Sequence, residues 1–173
     1  MKIELITGDI TEMSVDVIVN AANASLLGGG GVDGSIHQAA GPELLRACQE
    51  LNGCQTGKAK ITPGFNLKAR FVIHAVGPVW RGGNSGESEL LKSAYRYSLQ
   101  LAVDHSAKTI AFPNIGTGIY RFPKEEAALI AIQAVQNFEQ KAKLKRLVFV
   151  CFEEDNFRIY NEILGSVRAG HLF

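Results

Sequence analysis

The stretch Asn20 to Gly41 reads NAANASLLGGGGVDGSIHQAAG, and the rest of the chain is organised around it. Gly28 to Gly31 are consecutive glycines, a backbone that can take positive φ and approach a ligand with no Cβ in the way. Asp33, Gly34 and Ser35 follow, then a short apolar run through Ile36, Ala39 and Ala40. That order predicts a loop that presents free amides, and the positive end of a helix, to one anion such as a phosphate. The polar neighbours Asn20, Asn23, Asp33 and His37 are the candidates for chemistry.

Upstream, Val15, Val17, Ile18 and Val19 form a nearly unbroken β-branched run that stops at Asn20, the pattern of a buried strand in an α/β sheet. Lys2 to Thr7 is a shorter strand, ended by Gly8-Asp9. Ligands of such sheets collect beyond the carboxyl ends of the strands, which places Asp9, Asn20 and Asn23 at the candidate site. These two leading strands lie too close in sequence for a crossover helix between them, so the sheet is expected to be mixed.

Downstream, helices are predicted over Gly34 to Ala40 and Pro42 to Leu51, with Pro42 in the first turn where it is tolerated. Ala59 to Thr62 is a weak strand and Phe71 to Val76 a strong one, and Arg81 to Ser88 reads as a loop. Helical spacing returns at Leu90, Ala94, Tyr97 and Leu101 and runs to His105. Thr109 to Phe112 is a further strand, and it feeds a second glycine-bearing loop, Pro113 to Phe122. Pro123 opens a helix with an apolar face from Ala127 to Phe138, and Lys141 and Lys143 are expected at its negative end. Leu147 to Phe152 is the last strand, and Asp155 is placed to cap a final helix carrying Phe157, Tyr160, Leu164 and Val167. About six strands interleaved with helices predict one layered α/β domain over residues 1–173, with a mixed, mostly parallel central sheet.

The 173 residues are 46% hydrophobic and 20% charged, ordinary for a folded soluble domain of this length. A net charge of +1 gives no reason to expect nucleic acid or an anionic membrane as the main partner, so a bound anion must be held locally. Cys48, Cys54 and Cys151 contain no CxxC pair and leave one thiol over under any pairing, which points to reduced cysteines in the cytoplasm. The N-terminal MKIELITGDI reads as a strand and not as a signal peptide, and no apolar run approaches the ~20 residues of a membrane span. Cys48 and Cys54 with the nearby histidines lack the spacing and ligand count of a zinc site, and no cofactor is expected.

Gly29-x-Gly31-x-x-Gly34 matches the dinucleotide fingerprint only formally. Ala21 to Leu27 separate it from its strand, no acidic residue ends a second strand ~20 residues on, and the Gly-Lys-Ser/Thr of a P-loop is absent. Taken together, the first loop, the GDI at Gly8 to Ile10, IHAVGPVW at Ile73 to Trp80 and FPNIGTGIYRFP at Phe112 to Pro123 resemble the macrodomain family. The resemblance spans nearly the whole chain. It is closest to the MacroD-type branch of O-acetyl-ADP-ribose deacetylases and mono-ADP-ribosyl hydrolases.

That resemblance implies a three-layer α/β/α fold and a set of roles. Asp9 would accept from the adenine amine, with backbone contacts from Ile10, and Phe152 would stack on the base, a contact worth ~1–3 kcal/mol in single-stranded nucleic-acid binders. Gly30, Gly31 and Val32 on one side, and Ile115, Gly116, Thr117, Gly118, Ile119 and Tyr120 on the other, would hold the diphosphate and ribose, with Asn20 beside them. Asn23 would orient the distal ribose, and Asp33 or a ligand phosphate would prepare water against the scissile ester. The competing reading of Asp33 is a cap of the following helix, and that of Phe152 a core aromatic. His37, four residues past Asp33, is a candidate to orient it, and His74 reads as structural. Tyr120-Arg121-Phe122 departs from the family's usual glycine and tyrosine, and Gly116 from a frequent serine, which bears on substrate choice. The implied ligands are ADP-ribose, O-acetyl-ADP-ribose and mono-ADP-ribosylated proteins. The implied activity is ester hydrolysis at the distal ribose, with a non-catalytic ADP-ribose reader as the alternative.

Overall fold

The computed structural model describes residues 1–172. Six strands form one sheet: β1 (Lys2–Thr7), β2 (Val17–Ala22), β3 (Ala59–Pro63), β4 (Phe71–Val76), β5 (Thr109–Phe112) and β6 (Arg146–Cys151), in the order β1-β6-β5-β2-β4-β3. The apolar runs of β2, β4, β5 and β6 occupy the four central places, where both faces are covered, and the more polar β1 and β3 take the edges.

The sheet is mixed, but not at the predicted place. β1 and β2 are not neighbours: β1 runs parallel to β6, and β2 runs parallel to both β4 and β5. Avoiding adjacency removes the need for a crossover between them. The one antiparallel pairing is β3 with β4, joined by the short connection Gly64 to Arg70.

Helices α1 (Gly31–Ala40) and α2 (Pro42–Glu50) cover one face of the sheet; α3 (Glu87–Asp104), α4 (Lys124–Gln136) and α5 (Glu154–Arg168) cover the other. Strand alternation sorts the core into these layers. Val17, Val19, Ile73 and Phe149 point to the α3–α5 side, while Ile18, Val72, Val148 and Val150 point to α1 and α2. On the former side Tyr95, Phe112, Phe149 and Tyr160 form an aromatic series with centroid separations of 5.1, 6.3 and 5.1 Å.

Two helix ends differ from expectation. α4 stops at Gln136, and Lys141 and Lys143 sit in a separate 3-10 turn, so they do not complement its dipole. Asp155 lies inside the first turn of α5, where it pairs with Arg158 at 2.7 Å, and Glu153 occupies the cap position without capping the helix through its side chain, which accepts from Lys124 instead. No helix among the described residues is long and apolar enough to cross a membrane.

Candidate functional site

The carboxyl ends of β1, β2, β5 and β6 open into one cleft of about 550 Å³, within the range of small-molecule sites. Its walls come from the two glycine loops, and its far end from Asp9, Ile10, Val150 and Phe152. The lining residues include the carboxylates of Asp9, Asp33 and Glu153 but no lysine or arginine. An anionic ligand there meets no counter-charge and must be held by neutral donors, backbone amides among them.

The first loop supplies them. α1 begins at Gly31, three residues earlier than predicted, and Gly30 caps it without a side chain, which leaves first-turn N–H groups for a ligand. Gly34 allows α1 to close on the loop, because a Cβ there would lie 2.6 Å from the Gly29 carbonyl oxygen. Asp33 is in the first turn of this helix, so capping is not its role. It is buried, and it still lines the cleft.

Asp33 is held by Asn20, whose Nδ2 donates to Asp33 Oδ1 at 2.8 Å. This corrects the assignment of Asn20 to phosphate and ribose. β2 continues through Ala21 and Ala22, so Asn20 lies within the strand, has no exposed surface and is not part of the cleft wall. The hydrogen bond to Asp33 expected of His37 is made by Asn20 instead. His37 Nε2 is 3.5 Å from Asp33 Oδ1, close enough for an ion pair if protonated, but it makes no hydrogen bond. His74, buried behind Asn20, has its pKa lowered to about 3 by burial and by the neighbouring His37, so it is neutral.

Asn23 faces the cleft, but its side chain also shapes the loop. Its Oδ1 accepts from Ser25 N, Ser25 Oγ and Leu26 N, and its Nδ2 donates to Gly28 O at 2.9 Å. One N–H of the amide remains for a ligand.

The second loop lines the opposite wall through Gly116, Thr117, Gly118, Ile119 and Tyr120. Gly116 has φ +84, a conformation that a residue with a Cβ would adopt only with strain. Ile115 is the exception among the expected contacts: it is 1% exposed and packs inward against Gly77. Phe122 is likewise buried, 4.8 Å from Trp80, whereas Arg121 is exposed with φ 61. The loop is tied down by Trp80 N donating to Tyr120 O at 2.8 Å. The Trp80 segment rests in turn on Glu87, whose carboxylate accepts from the N–H groups of Arg81, Gly83 and Ser85. Those donors hold its pKa down at about 2.

At the far end Phe152 follows β6 directly and is 79% exposed, which rules out the core reading and presents its ring to the cleft. Asp9 caps a 3-10 turn through Oδ1, which accepts from Thr11 N and Oγ1. Its second oxygen has no part in that cap. Asn156 is a cleft residue that the sequence reading missed. It is 4% exposed, with its Oδ1 unpartnered, and its place in the first turn of the helix that follows Phe152 is the signal that could have found it. Among the described residues no group of His, Cys, Asp or Glu converges as a metal site, and the cysteines are free and buried.

Comparison with known proteins agrees with this geometry. Residues 19–131 match the Macro domain family model. A Macro domain-containing protein of Chlorobaculum tepidum is 57% identical over 165 residues, which cover 95% of this chain and 96% of that protein. The O-acetyl-ADP-ribose deacetylase of Escherichia fergusonii is 54% identical over 168 residues, 94% of this chain and 95% of that protein. A variant of the Oceanobacillus iheyensis macrodomain solved with ADP-ribose superposes with a TM-score of 0.92 at 45% identity, covering 96% of this chain and 94% of that one. A family match over most of the chain, and relatives more than half identical along nearly its whole length, show that the chain belongs to the macro domain family.

Proposed function

We propose that this protein binds ADP-ribose and hydrolyses esters at its distal ribose, releasing acetate from O-acetyl-ADP-ribose and single ADP-ribose units from acidic side chains. One observation carries the reading: a buried carboxylate, Asp33, lines an anion-binding cleft and is fixed there by Asn20. The amides of the two loops hold the diphosphate, and Phe152 and Asp9 take the base. Asp33 accepts a proton from water as the oxygen adds to the ester carbonyl carbon. The carbonyl–ribose oxygen bond then breaks, and the proton returns to the ribose oxygen. The likeness to the deacetylase of Escherichia fergusonii supports this chemistry. In solved variants of the Oceanobacillus iheyensis protein, the replaced Asn and Gly precede the replaced Asp by the same intervals as Asn23 and Gly30 precede Asp33.

Hydrolysis of O-acetyl-ADP-ribose in ¹⁸O-water tests the reading. Label in the acetate supports attack at the acyl carbon; label in the ribose means attack at the sugar and removes the proposed step. A second reading is an ADP-ribose reader without turnover, favoured by the engagement of Asn23 with its own loop. Calorimetric binding of ADP-ribose with no release of acetate would select it.

A further inference from the structure

A polar row lies beneath the cleft, in a layer that strand alternation otherwise fills with apolar side chains. Ile18 and Ala22 of β2, and Val72 and Val76 of β4, face α1 and α2. Asn20 and His74 stand between them on the same face, opposite each other in the parallel pairing, and both have no exposed surface. Thr62 of β3 is buried beside them. Polar groups in such a layer are costly unless hydrogen-bonded, so the arrangement of their protons is constrained.

Donor counting leaves one arrangement. An ionised Asp33 can only accept, so the Asn20 atom 2.8 Å from its Oδ1 is the amide nitrogen. The other N–H of that nitrogen meets His74 Nδ1 at 3.1 Å, which must then carry no proton. His74 is neutral, so its one proton is on Nε2, where Thr62 Oγ1 accepts it at 3.0 Å and Cys48 Sγ lies at 3.7 Å. The remaining cost is Asn20 Oδ1, buried with no partner. With the amide turned over, His74 would carry its proton on Nδ1 and Asp33 would face an oxygen. The tautomer of His74 and the orientation of the Asn20 amide against Asp33 are therefore linked.

We infer that His74 is a positioning residue for Asp33: with its Nε2 proton held by Thr62, it fixes the Asn20 amide and, through it, the carboxylate. The inference rests on the reading of Asp33 as the group that prepares water, and it extends the site three strands deep, to a residue that touches no ligand.

The experiment combines ¹⁵N NMR of the histidine side chains in the full chain with steady-state hydrolysis of O-acetyl-ADP-ribose. In the wild type His74 gives the Nε2–H pattern, and Asp33→Ala shifts it toward Nδ1–H as the amide is released. His74→Phe lowers kcat about tenfold or more, with ADP-ribose affinity kept within about twofold. Should that variant fail to fold, the isosteric Thr62→Val carries the test, with kcat reduced several-fold and KM unchanged. A His74 pattern that ignores Asp33→Ala, or a Thr62→Val enzyme with wild-type kcat, overturns the inference. A wild type that binds ADP-ribose and hydrolyses nothing overturns the proposed function instead, while a His74 pattern that still answers to Asp33→Ala upholds the coupling.

Discussion

The two faces of the sheet are built differently. The face under α3, α4 and α5 is apolar through its strands, and buried polar side chains on it, Ser98 of α3 and Asn156 of α5, come from the helices. The face under α1 and α2 carries Asn20, His74 and Thr62 through its centre, and leaves the Asn20 carbonyl oxygen without a partner. A buried orphan of this kind costs ~1–3 kcal/mol. The strands of the first face bury only apolar side chains and those of the second bury a polar row beneath the residue assigned to chemistry, while the unpartnered Asn156 oxygen of the first face also lies at the cleft, which is where such breaks are expected.

The largest effect that would sharpen the contrast belongs to the apolar face. Phe149→Ala should cost about 3–5 kcal/mol in denaturant unfolding, because its ring is fully buried between Phe112 and Tyr160. Its ADP-ribose affinity should stay near wild type under conditions where the variant is folded. A large loss of affinity there would break the division between the two faces.

The polar face should show itself as a pH dependence. His74 has its folded pKa depressed to about 3 against an ordinary value of 6.5. As pH falls below 6.5 the unfolded chain takes up a proton that the folded state refuses, so stability declines by up to ~1.4 kcal/mol per pH unit down to about 3. Replacing His74 with Phe should flatten the stability–pH curve in that window. An unchanged slope would mean that His74 protonates as freely folded as unfolded.

Smaller effects are expected at the rim. Phe152→Ala should weaken ADP-ribose binding by ~1–3 kcal/mol in calorimetry while barely moving the melting temperature, since the ring is mostly exposed in the free protein. Arg121→Gly should add about 0.5 kcal/mol of stability by relieving a left-handed arginine, the entropy of glycine offsetting part of the gain. If Arg121 also contacts acidic protein substrates, the same variant raises their KM and leaves that for O-acetyl-ADP-ribose unchanged.

Much of the site was legible because it is written in contiguous runs. The first glycine loop and Asp9 follow runs that mark strand ends, so their places in the cleft follow from strand boundaries, whereas Phe152, read as the last residue of its strand, is placed at the base by the family resemblance. Asn20 was misplaced for the converse reason. Ala21 and Ala22 carry no β-branched signal, yet the strand runs through them, and two extra residues turn Asn20 from the cleft into the layer below. The antiparallel edge was placed wrongly because pairing is a property of the whole sheet: no local feature of β1 announces a partner as distant in sequence as β6. Asn156 and the link from Asn20 through His74 to Thr62 depend on side chains from separate elements, and only packing brings those together.

In the proposed reaction Asp33 performs the chemistry while the loops perform the binding, and Asp33→Ala separates the two. Calorimetry and acetate release should be measured on the same preparation. ADP-ribose affinity should stay within several-fold of wild type, and turnover of O-acetyl-ADP-ribose should fall by about 10²–10⁴. Turnover within a few-fold of wild type would contradict the proposed reaction and move the proton acceptor from Asp33 to the ligand's own phosphate.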